Sequence, residues 1–216
     1  MPPSRTKPKT CLVCGLEKLG WTQVGSVYCY FYKDGDKTLR AENCIVDGFY
    51  VDPSGARCDD PVINAALEFI KENSDEKDKP LERLRDCYNH LYKKYKYKTI
   101  VGVPVAEDLS SCAEDMFTDK TGNCYSYATA LSYIGRALGY DTRIVTGKIR
   151  GVYGDMVPHS YAEIFIDGKW YIFDASQNIA YPKLNWFMIT SGEYHRKYEK
   201  EVTYTLTASD GEVKWK

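Results

Sequence analysis

The stretch "HSYAEIFIDGKWYIFDAS", residues 159 to 176, constrains the fold more than any other part of the chain. Two alternating runs meet at Asp167-Gly168, and a two-residue Asp-Gly loop is the strongest short-range signal for a β-hairpin. So tight a loop fixes the register, which counts outward. Ile166 faces Lys169, Phe165 faces Trp170, Ile164 faces Tyr171, Glu163 faces Ile172, Ala162 faces Phe173 and Tyr161 faces Asp174. Sides alternate along each strand, so Asp174 shares a face with Tyr161 and therefore with His159. Diagonal neighbours lie roughly 7–8 Å apart at the backbone, a gap that His and Asp side chains can span. A slip of one residue would put the two on opposite faces.

A carboxylate that orients an imidazole is half of a nucleophilic site, and "KTGNCYSYATALSYIGRALGYDTRIVTG", residues 120 to 147, offers the other half. Asn123 is a favoured N-cap residue and Gly122 permits a tight entry. Cys124, Tyr127, Ala128, Leu131, Ile134 and Leu138 then form one apolar stripe, closed by Gly139. Cys124 therefore stands in the first turn of a helix, where the free N–H groups favour a thiolate. By itself a cysteine on an apolar stripe is more often a small core residue. Residues 142 to 147 continue as a strand.

The rest of the chain reads as a soluble, globular protein. Of its 216 residues, 44% are hydrophobic and 27% charged, which excludes a disordered or fibrous chain. A net charge of -1 gives no electrostatic reason to expect nucleic acid or an anionic membrane as partner. No run of eighteen apolar residues is present, so no membrane span is expected. "PVINAALEFIKEN" (61 to 73) has helical spacing with Pro61 suited to the first turn, and "SDEKDK" (74 to 79) is a charged loop. "PLERLRDCYNHLYKKYKYK" (80 to 98) repeats the helical pattern, its Lys-rich tail suiting a solvated helix end. His90 on this helix reads as structural, and His195, in a charged stretch, as solvated. Residues 100 to 119 and 148 to 158 read as loops, from which Tyr153 and Met156 are expected to line a cleft. The final "EVTYTLTASDGEVKWK" reads as another hairpin turning at Asp210-Gly211.

Five of eight cysteines (Cys11, Cys14, Cys29, Cys44, Cys58) crowd the first 58 residues. They fit either disulfides or metal ligands, although "CLVC" at 11 to 14 is half a zinc site with no second half following. Cys87 and Cys112 could pair with each other or simply pack; packing is the preferred reading. Cys112 precedes no evident helix start and is a poor rival nucleophile. A loose twenty-residue repeat aligns "VYCYFYKDG" (27 to 35) with "DGFYVDPSG" (47 to 55), matching Tyr30 to Tyr50 and Gly35 to Gly55. Each unit is expected to be a short aromatic strand closed by a Gly turn. The unit "GWTQVGSVYCYFYKDG" resembles the glycine-tryptophan repeat of bacterial cell-wall-binding, choline-binding-like modules. That resemblance implies Trp21, Tyr30 and Tyr50 as ligands of a wall polymer; an aromatic cap packed on the next domain is the alternative. Arg40-Ala41 in the second unit replace the Gly20-Trp21 of the first. A boundary near Asp59-Asp60-Pro61 divides the chain into 1–59, a tether with aromatic repeats, and 60–216.

"GNCYSYATALSYIGRALGYDTRIVTG" followed by "HSYAEIFIDGKWYIFDAS" resembles the transglutaminase-like superfamily, over roughly residues 80 to 180. The resemblance implies an α+β fold: a papain/transglutaminase-like core with helices packed on an antiparallel sheet, here preceded by a small β-hairpin repeat region. It implies Cys124 as nucleophile, His159 as general base and acid, and Asp174 as the orienting group. His159 is followed by Ser-Tyr rather than the commoner Ala-Trp, and Asp174 by Ala-Ser rather than Pro-Thr. The backbone N–H of Cys124 is a natural oxyanion donor; the second donor is unassigned. Nothing resembles the calcium sites of the animal crosslinking enzymes, so neither metal nor cofactor is implied. The expected activity is that of a cysteine peptidase or amidase cleaving amide bonds in a peptide or protein at a bacterial cell surface. The alternatives are a transglutaminase-type acyltransferase and a non-catalytic wall-binding module. The start "MPPSRTKPKT" lacks a signal-peptide core, so an extracellular reading presumes a removed signal, and a cytoplasmic one stays open.

Overall fold

The computed structural model describes residues 18–99, 102–151 and 153–216. The chain begins with two small antiparallel sheets. β1 (Gly20–Val24), β2 (Val27–Asp34) and β3 (Lys37–Arg40) form the first, and β4 (Cys44–Val46), β5 (Phe49–Val51) and β6 (Arg57–Cys58) the second. Helices α1 (Pro61–Asn73) and α2 (Pro80–Lys94) follow, then β7 (Lys96–Tyr97), α3 (Leu109–Asp119), β8 (Thr121–Gly122) and α4 (Cys124–Ala137). The main sheet comes last, built from β9 (Asp141–Arg150), β10 (Met156–Ile166), β11 (Lys169–Phe173), β12 (Tyr198–Ser209) and β13 (Glu212–Trp215). Its order is β11-β10-β9-β12-β13, antiparallel throughout. A short helix, α5 (Ala175–Ala180), starts where β11 ends. The architecture is α+β, with helices on an antiparallel sheet.

The β10–β11 pairing runs from Ile166–Lys169 to Ala162–Phe173, the register counted from the Asp-Gly loop. Its turn is built for the sequence, because Asp167 and Gly168 both adopt positive φ, at 48° and 84°. The Asp210-Gly211 turn between β12 and β13 repeats the device, with φ of 55° and 84°.

α4 differs from the expected one-sided stripe. Every residue from Cys124 to Ala137 is buried, because α1, α3 and the main sheet enclose the helix on all sides. Gly135 allows the closest approach to the sheet: a Cβ there would lie 2.8 Å from Thr142 Cγ2 and 3.0 Å from Ile164 Cδ1. Ile63, Ala66 and Ile70 of α1, Leu84, Tyr88 and Leu91 of α2, and Leu131 and Ile134 of α4 meet Ala162, Ile164 and Phe173 in one core.

The stretch read as a loop from 148 to 158 is strand at both ends, in β9 to Arg150 and in β10 from Met156; two further departures border the site. The helical pattern of residues 80 to 98 ends at Lys94, where Tyr95 turns extended (φ -91°, ψ 153°). Lys96 and Tyr97 then pair in parallel with Thr121 and Gly122, and the Lys98 N–H donates to Gly122 O at 2.9 Å. The backbone groups of this tail find partners in the segment before α4, which draws the tail away from the helix axis and against the start of α4. The stretch read as a loop from 100 to 119 contains α3, whose Leu109, Ala113 and Met116 are fully buried. Its helical spacing is short and polar outside those positions, which masks it in sequence.

The N-terminal units do have the expected shape of a strand followed by a Gly turn, with Gly35 and Gly55 at φ of 60° and 83°. Their aromatic residues divide: Tyr28 and Tyr32 are exposed, whereas Trp21 and Tyr30 are half-buried. Tyr50 is fully buried in the main core and its hydroxyl donates to Asn43 Oδ1 at 3.0 Å, so it is no ligand-facing residue. Trp21 packs edge-on against Tyr30 and Phe49, and its indole N–H donates to Asp47 at 3.0 Å. The Arg57 guanidinium lies 4.5 Å over the Phe49 ring and 5.7 Å over Trp21. This is the arrangement of an aromatic cap. It is fastened to the rest of the chain by Asp52, fully buried, which accepts from the Gly211 N–H at 2.8 Å.

Candidate active site

Cys124 opens α4. Asn123 caps the helix with its side-chain oxygen, accepting from the N–H groups of Tyr125 at 3.0 Å and Ser126 at 3.2 Å. That cap engages the second and third amides and not the N–H of Cys124 itself. The thiol is 4% exposed. Its sulfur acts on the His159 imidazole and the Tyr97 hydroxyl, adding to the upward pKa shift of both.

His159 sits on β10 opposite Gly147 of β9. A side chain at 147 would collide with the carbonyl of Glu199, so glycine lets β12 close against this part of the sheet. The His159 Nε2 meets Asp174 Oδ2 at 2.7 Å. With Nε2 committed to the carboxylate, Nδ1 is the nitrogen left for the thiol. Tyr198 holds the histidine from the other side: its hydroxyl donates to His159 O at 3.2 Å and its ring lies edge-on, 6.2 Å away.

Asp174 does three jobs at the end of β11. Its Oδ1 accepts from the Gln177 N–H at 3.0 Å, capping α5, and from Ser176 Oγ at 2.8 Å. Its Oδ2 accepts from His159 and from the Tyr194 hydroxyl, each at 2.7 Å. Its backbone carbonyl accepts from the Tyr88 hydroxyl at 3.2 Å.

Electrostatics follow from that geometry. Burial alone would raise the Asp174 carboxyl, yet the His159 charge and hydrogen bond, aided by Tyr194 and the Gln177 amide, hold it below its ordinary value. Burial would likewise push the His159 imidazolium down. The Asp174 charge and hydrogen bond, with Cys124 adding to them, overcome this and raise it to about 10. His159 therefore rests as an imidazolium between a carboxylate and a sulfur. Other thiols have no such setting: burial pushes the buried Cys87 and Cys58 up to about 12, and the half-buried Cys112 up to about 11.

The remaining sequence-derived residues fall as follows. Tyr153 is 97% exposed and is not among the residues that wall the two clefts described here. The chain between β9 and β10 turns it outward. Met156 begins β10, half-buried, and lines neither cleft either. One cleft, of about 240 Å³, reaches the start of α4 through Asn123 and Ser126, on either side of Cys124; Cys112 is on its wall. The other, of about 390 Å³, lies behind the dyad and is walled by Tyr161, Tyr194 and Tyr198. Cys11 and Cys14 lie outside the described residues. Cys44, Cys58, Cys87, Cys112 and Cys124 are free thiols, so Cys87 and Cys112 pack rather than pair. Among the described residues no group of three His, Cys, Asp or Glu side chains is placed to hold a metal ion. No helix among them is long and apolar enough to cross a membrane. His195 is exposed, with Nε2 3.0 Å from Asn185 O, and His90 packs edge-on against Phe69.

Two residues of the site were missed. Tyr97 had been absorbed into a helix tail, and Tyr194 was hidden in the charged stretch around His195. The four-residue spacing of Tyr194 and Tyr198, in a segment otherwise charged, was the available signal.

Residues 68–175, half of the chain, match the family described as the transglutaminase-like superfamily, and the match contains Cys124, His159 and Asp174. No curated protein sequence matches the chain. A solved structure described as a candidate cysteine protease from Cytophaga hutchinsonii aligns with a TM-score of 0.40 and 17% identity, over 71% of this chain and 56% of that one. Another, described as a TGase, aligns with a TM-score of 0.40 and 16% identity, over 62% of this chain and 35% of that one. The chain thus spans little more than half of the first structure's length and about a third of the second's.

Proposed function

The chain belongs to the transglutaminase-like superfamily, and from that premise we propose that it is a cysteine-nucleophile hydrolase of amide bonds, a peptidase or amidase. The observation that carries the reading is the buried His159–Asp174 pair, Nε2 to Oδ2 at 2.7 Å, whose imidazole is raised in part by Cys124 at the start of α4. A thiolate at Sγ attacks the carbonyl carbon of a peptide or carboxamide, forming a C–S bond and placing the carbonyl electron pair on oxygen. Collapse of that oxyanion breaks the C–N bond, and the His159 imidazolium gives its proton to the departing amine. The neutral imidazole then takes a proton from water, whose oxygen attacks the thioester. The C–S bond breaks, the acid leaves and the thiolate–imidazolium pair is restored. Asp174 fixes the ring and stabilises its positive charge throughout. A primary amine in place of water would make the same intermediate an acyl transfer.

The test uses β-casein, with and without a labelled primary amine, followed by mass spectrometry, and p-nitrophenyl acetate as a small acyl donor. Cleavage or loss of side-chain ammonia that disappears in Cys124→Ala supports hydrolysis. Label uptake dependent on Cys124 replaces it with acyl transfer. No acyl adduct on Cys124 from p-nitrophenyl acetate, and no change in casein, would overturn the catalytic reading and favour a binding module.

A further inference from the structure

The sheet face behind the dyad holds a concavity that the reaction at Cys124 leaves unused. Its volume, about 390 Å³, is that of a site for one small molecule. It shares no wall residue with the cleft at the start of α4, and none of Cys124, His159 and Asp174 lines it. Tyr161, Tyr194 and Tyr198 form its aromatic wall. Their ring centres lie 4.8 to 5.7 Å apart, and Trp186 backs Tyr194 edge-on at 5.3 Å. Rings packed in this way hold one another in place and offer a fixed surface to a flat apolar ring.

The polar groups of the cleft define the other end of such a molecule. Tyr161 is only 6% exposed, yet its hydroxyl is hydrogen-bonded to no group among the described residues. Nor is that hydroxyl sealed from solvent, as the unpartnered ones of Tyr125 and Tyr127 are, so it opens on the cleft. The other two tyrosines are committed. Tyr194 donates to Asp174 Oδ2 at 2.7 Å, and Tyr198 is held by Val145 O and His159 O at 3.1 and 3.2 Å. A largely buried phenol without an acceptor gives up a hydrogen bond that an acceptor entering the cleft would restore.

Charge points the same way. Of the three charged side chains on the wall, Glu163 is matched by Arg143, whose Nε lies 2.6 Å from its Oε2. Arg196 and Lys200 have no carboxylate partner among the described residues. The Arg196 guanidinium donates to neutral acceptors, Gln177 Oε1 at 3.2 Å and the Arg150 carbonyl. Two cations beside a free phenol donor favour an anion, while the Glu163 carboxylate on the same wall opposes a doubly charged one. Burial, and then the Glu163 charge, hold the Tyr161 phenol above its ordinary range, so it is a donor at neutral pH.

We propose that this cleft is a binding site for a small carboxylate that carries an aromatic ring. The ring lies against Tyr194 and Tyr198, and the carboxylate accepts from the Tyr161 hydroxyl between Arg196 and Lys200. The occupant stands one side chain from the dyad, because Tyr194 serves both the cleft and Asp174. The site does not depend on the chemistry at Cys124.

Benzoate is the probe, with benzamide (the ring without the charge) and acetate (the charge without the ring) as comparators. Each is titrated into isotope-labelled protein at neutral pH while the backbone amides are followed by NMR. Benzoate is expected to give saturable changes centred on Tyr161, Tyr194, Tyr198 and Lys200, with both comparators weaker. Tyr161→Phe keeps the ring and breaks no hydrogen bond inside the protein, so its thermal midpoint should match wild type. Its affinity for benzoate should fall on the order of tenfold or more. Lys200→Gln, at the surface, should weaken benzoate and leave benzamide unchanged, and Cys124→Ala should bind benzoate as wild type does. No saturable change, equal affinity for benzamide, or unaltered benzoate binding in Tyr161→Phe would overturn the assignment. So would changes centred on Asn123 and Ser126 or binding lost in Cys124→Ala, since either puts the probe in the other cleft.

Discussion

His159 Nε2 lies 2.7 Å from Asp174 Oδ2, although fifteen residues and a hairpin turn separate them in sequence. The contact is diagonal across β10 and β11, and both partners are almost fully buried. Its strength sets the first expectation.

Asp174→Asn removes the charge and keeps the shape. Breaking a buried pair by neutralising one partner costs about 3–5 kcal/mol, and losing the carboxylate of such a series costs on the order of 10⁴ in turnover. The pH dependence has a definite sign. Asp174 lies below its ordinary 3.8 in the fold, so its contribution is present above that value and lost as pH falls through the lowered one. His159 is raised from 6.5 to about 10, so its contribution is complete below 6.5 and lost as pH rises through about 10. The stability deficit of Asp174→Asn is therefore greatest between about pH 4 and 6.5. Urea unfolding of both proteins across that range, and at pH 3 and 10.5, checks it; a deficit independent of pH would contradict it.

Tyr194→Phe deletes one donor to the same carboxylate oxygen. A hydrogen bond to a charged group is worth about 1.5–3 kcal/mol, and its loss raises the Asp174 carboxyl toward its ordinary value. The expected result is a loss of stability of that order, together with an acid limb of the activity profile moved to higher pH. An unchanged acid limb, measured with p-nitrophenyl acetate, would show that Tyr194 acts on packing alone.

Gly135→Ala tests how closely α4 lies on the sheet. The added methyl meets Thr142 and Ile164 at 3.0 Å or less, and overpacking of this kind costs about 1–3 kcal/mol. Thermal unfolding should show a lowered midpoint. A gain in stability, as helix propensity alone would give, would mean that the helix shifts freely.

Asn123→Ala removes the cap beside Cys124. Two amides lose their acceptor, and a lost N-cap costs about 0.5–2 kcal/mol. Because Cys124 is the next residue, the variant should also acylate more slowly. Normal acylation in a destabilised protein would confine the cap to a structural part.

The parts of this site legible in sequence share one property: each is fixed by local chemistry. Asp167-Gly168 sets a turn, the turn sets a register, and the register places His159 and Asp174 on one face. Asn123 and Gly139 bracket α4 in the same way. Residues placed by distant partners were not legible. Tyr97 leaves its helix because Thr121 and Gly122 offer it a strand, and no propensity in "KKYKYK" signals a partner so far along the chain. Tyr50 reads as one of a row of aromatic ligands until the core closes around it. Trp21 likewise meets Asp47, Phe49 and Arg57, partners that its own segment does not announce.

The thiolate–imidazolium pair of Cys124 and His159 is the claim on which the rest depends. It is tested most directly by the rate of iodoacetamide alkylation at each cysteine against pH, in the intact protein and in His159→Ala. The expected result is labelling of Cys124 at neutral pH faster than that of Cys87 and Cys112, slowed in the variant. Cys87 and Cys112, pushed up to about 12 and about 11, should react only in alkaline solution. Labelling of Cys124 no faster than that of Cys87 and Cys112, and the same without the imidazole, would contradict the account.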